Sequence, residues 1–423
     1  MPGAVYVLAA LVAVVGGLVL WQRRDTANSL VTSYGVEHRR FRTLGSKIGV
    51  LVGLLLLISA PVGFSWIGFR GVHLPTQLIP GLPMNEKWLL VGLLAAIYTI
   101  GAIGMNLLIG NTGQVSLGHS GFVLVGAYST GYFGQDLLIR GKHLPGLMWV
   151  LVAGVLGALI SAAIGPFALR LRGNYLAMVS IFIVLAAVHV ATNWISFTGG
   201  DVAPRNDLPG FVFTIWPGKA IRFNEQGSSN FFDTWFLSKN QGYFWLCWAF
   251  ALIAIVVGRN LMRSRQGRAM MAVRDRDLSA EVIGVRQMYT KTWAFAVSGA
   301  FAAIAGALYA SYFSSVQPNS FALDFSIQFI AMIVIGGVGS VYGSVLGAIV
   351  IAALFPLFQE GKDLLKGLPL IQLDGTKPTG LTLDLLAVLV YGLALILFLM
   401  FFPTGLAGLW AKVRRYFATW PFS

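Results

Sequence analysis

The chain has 423 residues, of which 57% are hydrophobic and 11% charged, and its mean hydropathy is +0.75. A soluble domain carries roughly a quarter charged residues, so a soluble fold is excluded and the apolar surface must face lipid. The single cysteine, Cys247, excludes an internal disulfide and a multi-cysteine metal site. The net charge of +14 raises nucleic acid as a partner, but the basic residues lie in short connections between apolar runs, so no nucleic acid is expected.

A membrane span needs about 20 apolar residues. In chain order the candidate runs are 3–21, 47–69, 88–109, 115–134, 148–169, 174–195, 243–258, 292–312, 325–337, 342–357 and 381–402. They predict an all-α polytopic membrane protein with about 10–11 transmembrane or re-entrant helices. The runs 325–337 and 342–357 are short and are expected to be broken or re-entrant pieces. Residues 1–87 hold two N-terminal runs and their linkers. The transmembrane domain is expected at 88–402, with an outer loop at 196–242 and an inner loop at 259–291, and 403–423 forms a tail.

No Lys or Arg stands among Met1–Ala4, whereas Arg23 and Arg24 follow the first run. A secretory signal carries its positive charge in front, so a retained helix with its N-terminus outside is expected. With eleven spans the C-terminus is then cytoplasmic. The loops so placed inside hold nineteen of the 30 Lys and Arg residues, the bias that the positive-inside rule requires.

All sixteen Asp and Glu residues fall in loops or at segment ends. An ion-coupled secondary carrier generally needs a carboxylate at membrane depth to take up the coupling ion, so that class is disfavoured. His189 lies within the run 174–195 and is expected to be a neutral histidine hydrogen-bonded between helices. Lys142, Lys219 and Lys362 follow glycines but lack the remainder of a phosphate-binding loop. No cofactor, metal site or catalytic dyad is expected, and any nucleotide hydrolysis belongs to a partner.

Two glycine-bearing breaks interrupt the apolar runs, Gly110–Gly121 and Gly336–Gly343, with their G-x-x-G cores 226 residues apart. Irregular backbone at membrane depth must be buried in protein or line a wet cavity, and paired interruptions in two halves point to a transport path. Asn111, Thr112, Gly113, Gln114, Ser116, Gly118, His119 and Ser120 are the candidate path residues, expected near the bilayer midplane; alternatively their side chains cap frayed helix ends. In 292–312, Ser298, Ala302, Gly306 and Ala310 recur every fourth residue, a small-residue stripe for close helix packing.

The inner loop 259–291 carries eight Lys and Arg residues against three Asp and Glu. Arg265, Gly267, Arg268, Arg274, Ser279, Ala280 and Gly284 are interleaved there with the apolar Met271, Val273, Leu278, Val282 and Ile283. A short helix with a break at Gly284 suits either insertion into a partner's groove or adsorption on anionic headgroups.

The blocks GNTGQVSLGHSGFVLVGAY (110–128), LRLRGNYLAM (169–178), Thr198–Gly200, 263–285 and IGGVGS (335–340) together resemble the permease subunits of branched-chain amino acid ABC importers, the LivM-like type. The resemblance covers roughly 88–357. It implies a second homologous permease subunit, two ATP-binding subunits, a periplasmic or extracytoplasmic substrate-binding protein and a place in the inner membrane lipid bilayer. Leu278-Ser279-Ala280 followed by Gly284 resembles the importers' E-A-A-x-x-x-G coupling motif with Leu in place of Glu, which implies docking of the inner loop on an ATPase. The outer loop, with Trp216, Phe231, Phe232 and Trp235, would receive the binding protein or form a lid on the chain's own helices. The stretch Ile183–His189 (IVLAAVH) lacks the charged residues that amino acid-transporting relatives often carry, and Asp201–Pro204 departs from their glycine-rich continuation. A urea or short-amide importer is therefore the alternative within the class.

Overall fold

The computed structural model describes residues 86–139, 146–168, 174–198, 239–313 and 316–365, with strand pieces between 212 and 237 and a few helical residues between 392 and 409. By internal contact the chain forms two units, Met1–Leu89 with Gly408–Ser423 and Leu90–Ala407. The second holds nearly all of the described residues.

Eight of the predicted runs are helices: α1 (Glu86–Thr112), α2 (His119–Ile139), α3 (Gly146–Ala168), α4 (Asn174–Asn193), α6 (Lys239–Arg263), α9 (Gln287–Phe313), α10 (Leu323–Gly336) and α11 (Val341–Leu365). A one-turn helix, α5 (Ile195–Thr198), follows α4, and α7 (Arg265–Asp275) and α8 (Asp277–Val282) connect α6 to α9. Such runs become helices because lipid offers no partner for a backbone N–H or C=O, and the helix satisfies both within the segment. Among the described residues six helices are long and apolar enough to cross a membrane. The runs 3–21 and 47–69 and most of 381–402 lie outside the described residues.

The two short runs gain length from their flanks. A 3₁₀ turn at Pro318–Phe321 leads into α10, and together they extend over Pro318–Gly336, 19 residues. Helix α11 continues past its apolar part to Leu365, 25 residues in all. The run 115–134 begins as helix only at His119. The inner loop is shorter than 259–291, because α6 continues to Arg263 and α9 starts at Gln287.

The described spans are all helical. Among the described residues strand is confined to the connection between α5 and α6, as two antiparallel pairs: β1 (Val212–Trp216) with β2 (Lys219–Arg222), and β3 (Ser229–Asn230) with β4 (Phe236–Leu237). Val212 faces Arg222 and Thr214 faces Ala220, with an irregularity before Trp216. Phe231, Phe232 and Trp235 lie outside the described residues.

Helix α9 is central, packed on α3 along one side and on α2 along another. Its predicted stripe is buried, with Ser298 at 2% exposure and Ala302 and Ala310 at 0%. A Cβ added to Gly306 would collide with the carbonyl of Val123, and one added to Gly126 with the carbonyl of Ala303. These seams bring backbone onto backbone, the contact that replaces hydrophobic driving force in lipid. The hairpin α10–α11 closes the same way, with Gly336 and Gly347 against the backbone of Gly343 and Met332.

Aromatic rings fill the space between α1, α9 and α10. Phe325 and Phe329 meet edge-on at 5.1 Å, Tyr98 reaches Phe329 at 6.2 Å, and Phe321 reaches Phe325 at 5.7 Å. Each such pair contributes about 0.5–1.5 kcal/mol beyond its buried area.

Candidate functional site

The first break begins where α1 ends. Gly113 has φ +70°, and its N–H donates to Ile109 O at 3.1 Å. That is the αL cap, which glycine adopts without Cβ strain. Asn111 and Thr112 are still helical and the non-helical stretch is 113–118. The chain then doubles back along α1, because His119 Nε2 lies 2.9 Å from Gly101 O. Gly101 stands eleven residues before Thr112, about 16 Å up the helix at 1.5 Å per residue. The α2 N-terminus therefore starts about halfway along α1.

Within 113–118 the backbone is irregular, and from Gly113 to Ser116 exposed and buried residues alternate. Gly113 and Val115 are exposed, Val115 by 50%, while Gln114 (6%) and Ser116 (1%) are buried. Asn111, Thr112, Gly118, His119 and Ser120 are buried too. The predicted polar residues are thus brought together, but most are turned into the protein and closed off in this conformation.

The freed N–H groups of the break find serines. Leu117 N donates to Ser180 Oγ of α4 at 2.7 Å, Gly118 N to Ser116 Oγ at 3.2 Å, and Ser120 N to Ser326 Oγ of α10 at 2.9 Å. Ser326 Oγ in turn donates to Ser120 Oγ at 2.7 Å. The His119 ring packs edge-on against Phe329 at 5.0 Å. Thr112 Oγ1 bonds back to Leu108 O. Among the described residues neither amide atom of the buried Gln114 side chain has a partner. Leaving an amide so costs roughly 1–3 kcal/mol.

The second break is a compact turn. Gly337 takes φ +120° and donates to Ile333 O at 2.8 Å. Ser340 N-caps α11, its Oγ accepting from Gly343 N at 3.1 Å. Asn106 of α1 clamps this turn: its Oδ1 accepts from Gly339 N at 2.7 Å, and its Nδ2 donates to Ser340 O at 2.9 Å and to Ser344 Oγ at 2.8 Å. The two breaks meet here, for a Cβ on Gly110 would stand 2.6 Å from Gly339 N.

The inner connection has two faces. In α7, Ser264 caps the N-terminus by accepting from Gly267 N at 3.2 Å, and Gly267, Met270 and Val273 are buried. Arg265 and Arg268 are exposed, and Arg268 Nη1 donates to Arg263 O at 2.9 Å. In α8, Ala280 is buried and Ser279 exposed, while Leu278, Val282 and Ile283 are exposed by 73%, 88% and 74%. Gln287 Nε2 ties α8 to the start of α9 through Asp277 O at 2.7 Å and Glu281 Oε2 at 3.1 Å. Gly284 turns the chain at φ +87°, and among the described residues nothing lies within 4 Å of the place a Cβ would take.

His189 departs from expectation. It is exposed on α4 and meets Asn193 one turn along the same helix, at 3.2 Å, instead of a residue on another helix. A run apolar all round does not betray its phase, so position within it did not reveal which way His189 faces. Sequence reasoning also missed Asn106, Ser180 and Ser326. Asn106 carried a signal, an amide deep in an apolar run where polar groups need partners; the two serines carried none.

Residues 89–402 match the family described as branched-chain amino acid transport system, permease component. The chain is 30% identical over 307 residues to the high-affinity branched-chain amino acid transport system permease protein LivM of Escherichia coli, covering 69% of each chain. It is 25% identical over 301 residues to LivH of the same organism, covering 68% of this chain and 92% of LivH. It is also 21% identical over 343 residues to a probable LivM of Methanocaldococcus jannaschii, covering 73% of this chain and 90% of that one. No solved structure matches.

Proposed function

Since the chain belongs to the branched-chain amino acid transport permease family and is a multi-pass permease subunit of an ABC importer, we propose that it imports branched-chain or other hydrophobic amino acids. In this reading it pairs with a second homologous permease, two ATP-binding subunits and an extracytoplasmic binding protein. It contributes no catalytic group of its own. Its N-terminus lies outside, and α7 and α8 face the cytoplasm.

The observation that carries the reading is the division of labour between α7 and α8. One is seated in the bundle; the other presents three apolar side chains at 73–88% exposure. An apolar edge held out by a buried neighbour suits a partner's groove. ATP-driven closure of the ATPases would push on α8 and be passed through α7 to the helices. The segment Asn111–Ser120 would then line the solute route at about half the depth of α1, opening as the serine contacts to Ser180 and Ser326 part. Its buried, unpartnered Gln114 amide supports a polar role for this segment.

The test is Leu278→Glu combined with Val282→Glu. These side chains touch no core, so the subunit should stay folded in the membrane, while ATPase co-purification and ATP-driven leucine uptake are lost. Normal coupled uptake in the double variant would sink the docking assignment. A second substrate reading, urea or a short amide, rests on the uncharged stretch Ile183–His189. Uptake of urea without leucine by the assembled complex would select it.

A further inference from the structure

Helix α1 has no basic residue in its last turn, where a cation would normally offset the unpaired carbonyls and the helix dipole. The αL cap at Gly113 serves Ile109 O and leaves Gly110 O free. That carbonyl is taken from a distance: Arg274 Nη1, in the last turn of α7, donates to it at 2.5 Å. The same side chain lies along both breaks. Its Cγ would be 3.4 Å from a Cβ on Gly113, and its Nη1 would be 3.4 Å from a Cβ on Gly339. Arg274 is itself exposed, so packing of an apolar core does not account for its position. One guanidinium thus reaches from the ATPase-facing connection to the point where the two breaks touch.

We infer that Arg274 is the positioning residue that couples movement of α7 to the end of α1 and the two breaks, and is not a docking contact for a partner. This rests on the importer reading above. The planar guanidinium fork fixes the orientation of the bond it makes. When α7 shifts, Gly110 O is carried with it, and the 113–118 segment, joined to α1 at Gly113, must follow.

The alternative is a helix cap that only adds stability, and the experiment separates the two. The complete complex would be reconstituted in liposomes with wild type, Arg274→Gln or Arg274→Lys, and leucine uptake measured per ATP hydrolysed. The expected result is intact co-purification and ATP hydrolysis within about twofold, with uptake per ATP lowered about tenfold in Arg274→Gln and partly restored in Arg274→Lys. A second readout does not depend on the solute. In a Val115→Cys background, labelling by a water-soluble maleimide should change on ATP addition, and Arg274→Gln should abolish the change; Cys247 is buried and stays silent. An unchanged uptake-to-hydrolysis ratio with ATP-responsive labelling in Arg274→Gln would overturn the inference. So would parallel loss of hydrolysis and co-purification in that variant. If Val115→Cys with Arg274 intact shows no ATP response and no ATPase co-purifies with the wild type, the importer reading itself fails.

Discussion

The two glycine-bearing breaks share a G-x-x-G core and meet at Gly110 and Gly339, yet they are built on opposite plans. The second is a tight turn closed by local groups, with Ser340 capping the next helix, and gripped by three hydrogen bonds from one amide, Asn106. The first is a six-residue irregular stretch that, with the start of α2, is tied by N–H bonds to serines of two distant helices, and whose Gln114 side-chain amide has no partner among the described residues. Local closure with a multidentate clamp makes a fixed point. Contacts divided between two separate helices make a joint that yields when those helices move. On the route proposed above, the pair would act as a pivot beside a gate.

The largest effect should come from the pivot. Asn106→Leu removes three bonds and strands the Gly339 N–H, and a buried group left unpaired costs roughly 1–3 kcal/mol. Thermal unfolding in detergent should show a larger drop in Tm for Asn106→Leu than for Ser326→Ala, which removes two bonds and strands the Ser120 N–H. Equal losses would erase the distinction. Backbone conformation sharpens it next. Asparagine tolerates the αL region, so Gly113→Asn, at φ +70°, should be nearly neutral. Gly337→Asn, at φ +120°, should cost about 1–3 kcal/mol, read as Tm in the same assay. The smallest effect has the most telling sign: Gln114→Leu should raise stability by about 1 kcal/mol while lowering uptake. A fall in Tm would mean that the amide is structural, and the gate reading would lose its polar element.

Much of this architecture was legible in the sequence. Long apolar runs become helices because lipid leaves no other solution for the backbone, and the Ser298–Ala310 stripe is buried where its spacing placed it. The inner connection showed its mixed basic and apolar character, but not that Met270 and Val273 turn inward while Leu278, Val282 and Ile283 stay out. The candidate path residues were found as a cluster. Their burial was not, because it depends on Ser180 and Ser326, 63 and 206 residues from their partners. Asn106 lies 233 residues from Gly339. No local pattern encodes such pairings, and the phase of α4, apolar on every face, hid the outward direction of His189.

The half-depth start of α2 has an electrical consequence. A helix N-terminus behaves as roughly half a positive charge, and here it is placed about 16 Å from the end of α1. Water would neutralise such a charge at a surface, but buried in the protein it is screened little. Sodium ions and protons approaching along the same route would meet an unfavourable potential, whereas a zwitterion, with no net charge, would be opposed far less. On the route proposed above, the break that makes room for a solute would thereby also oppose the passage of cations.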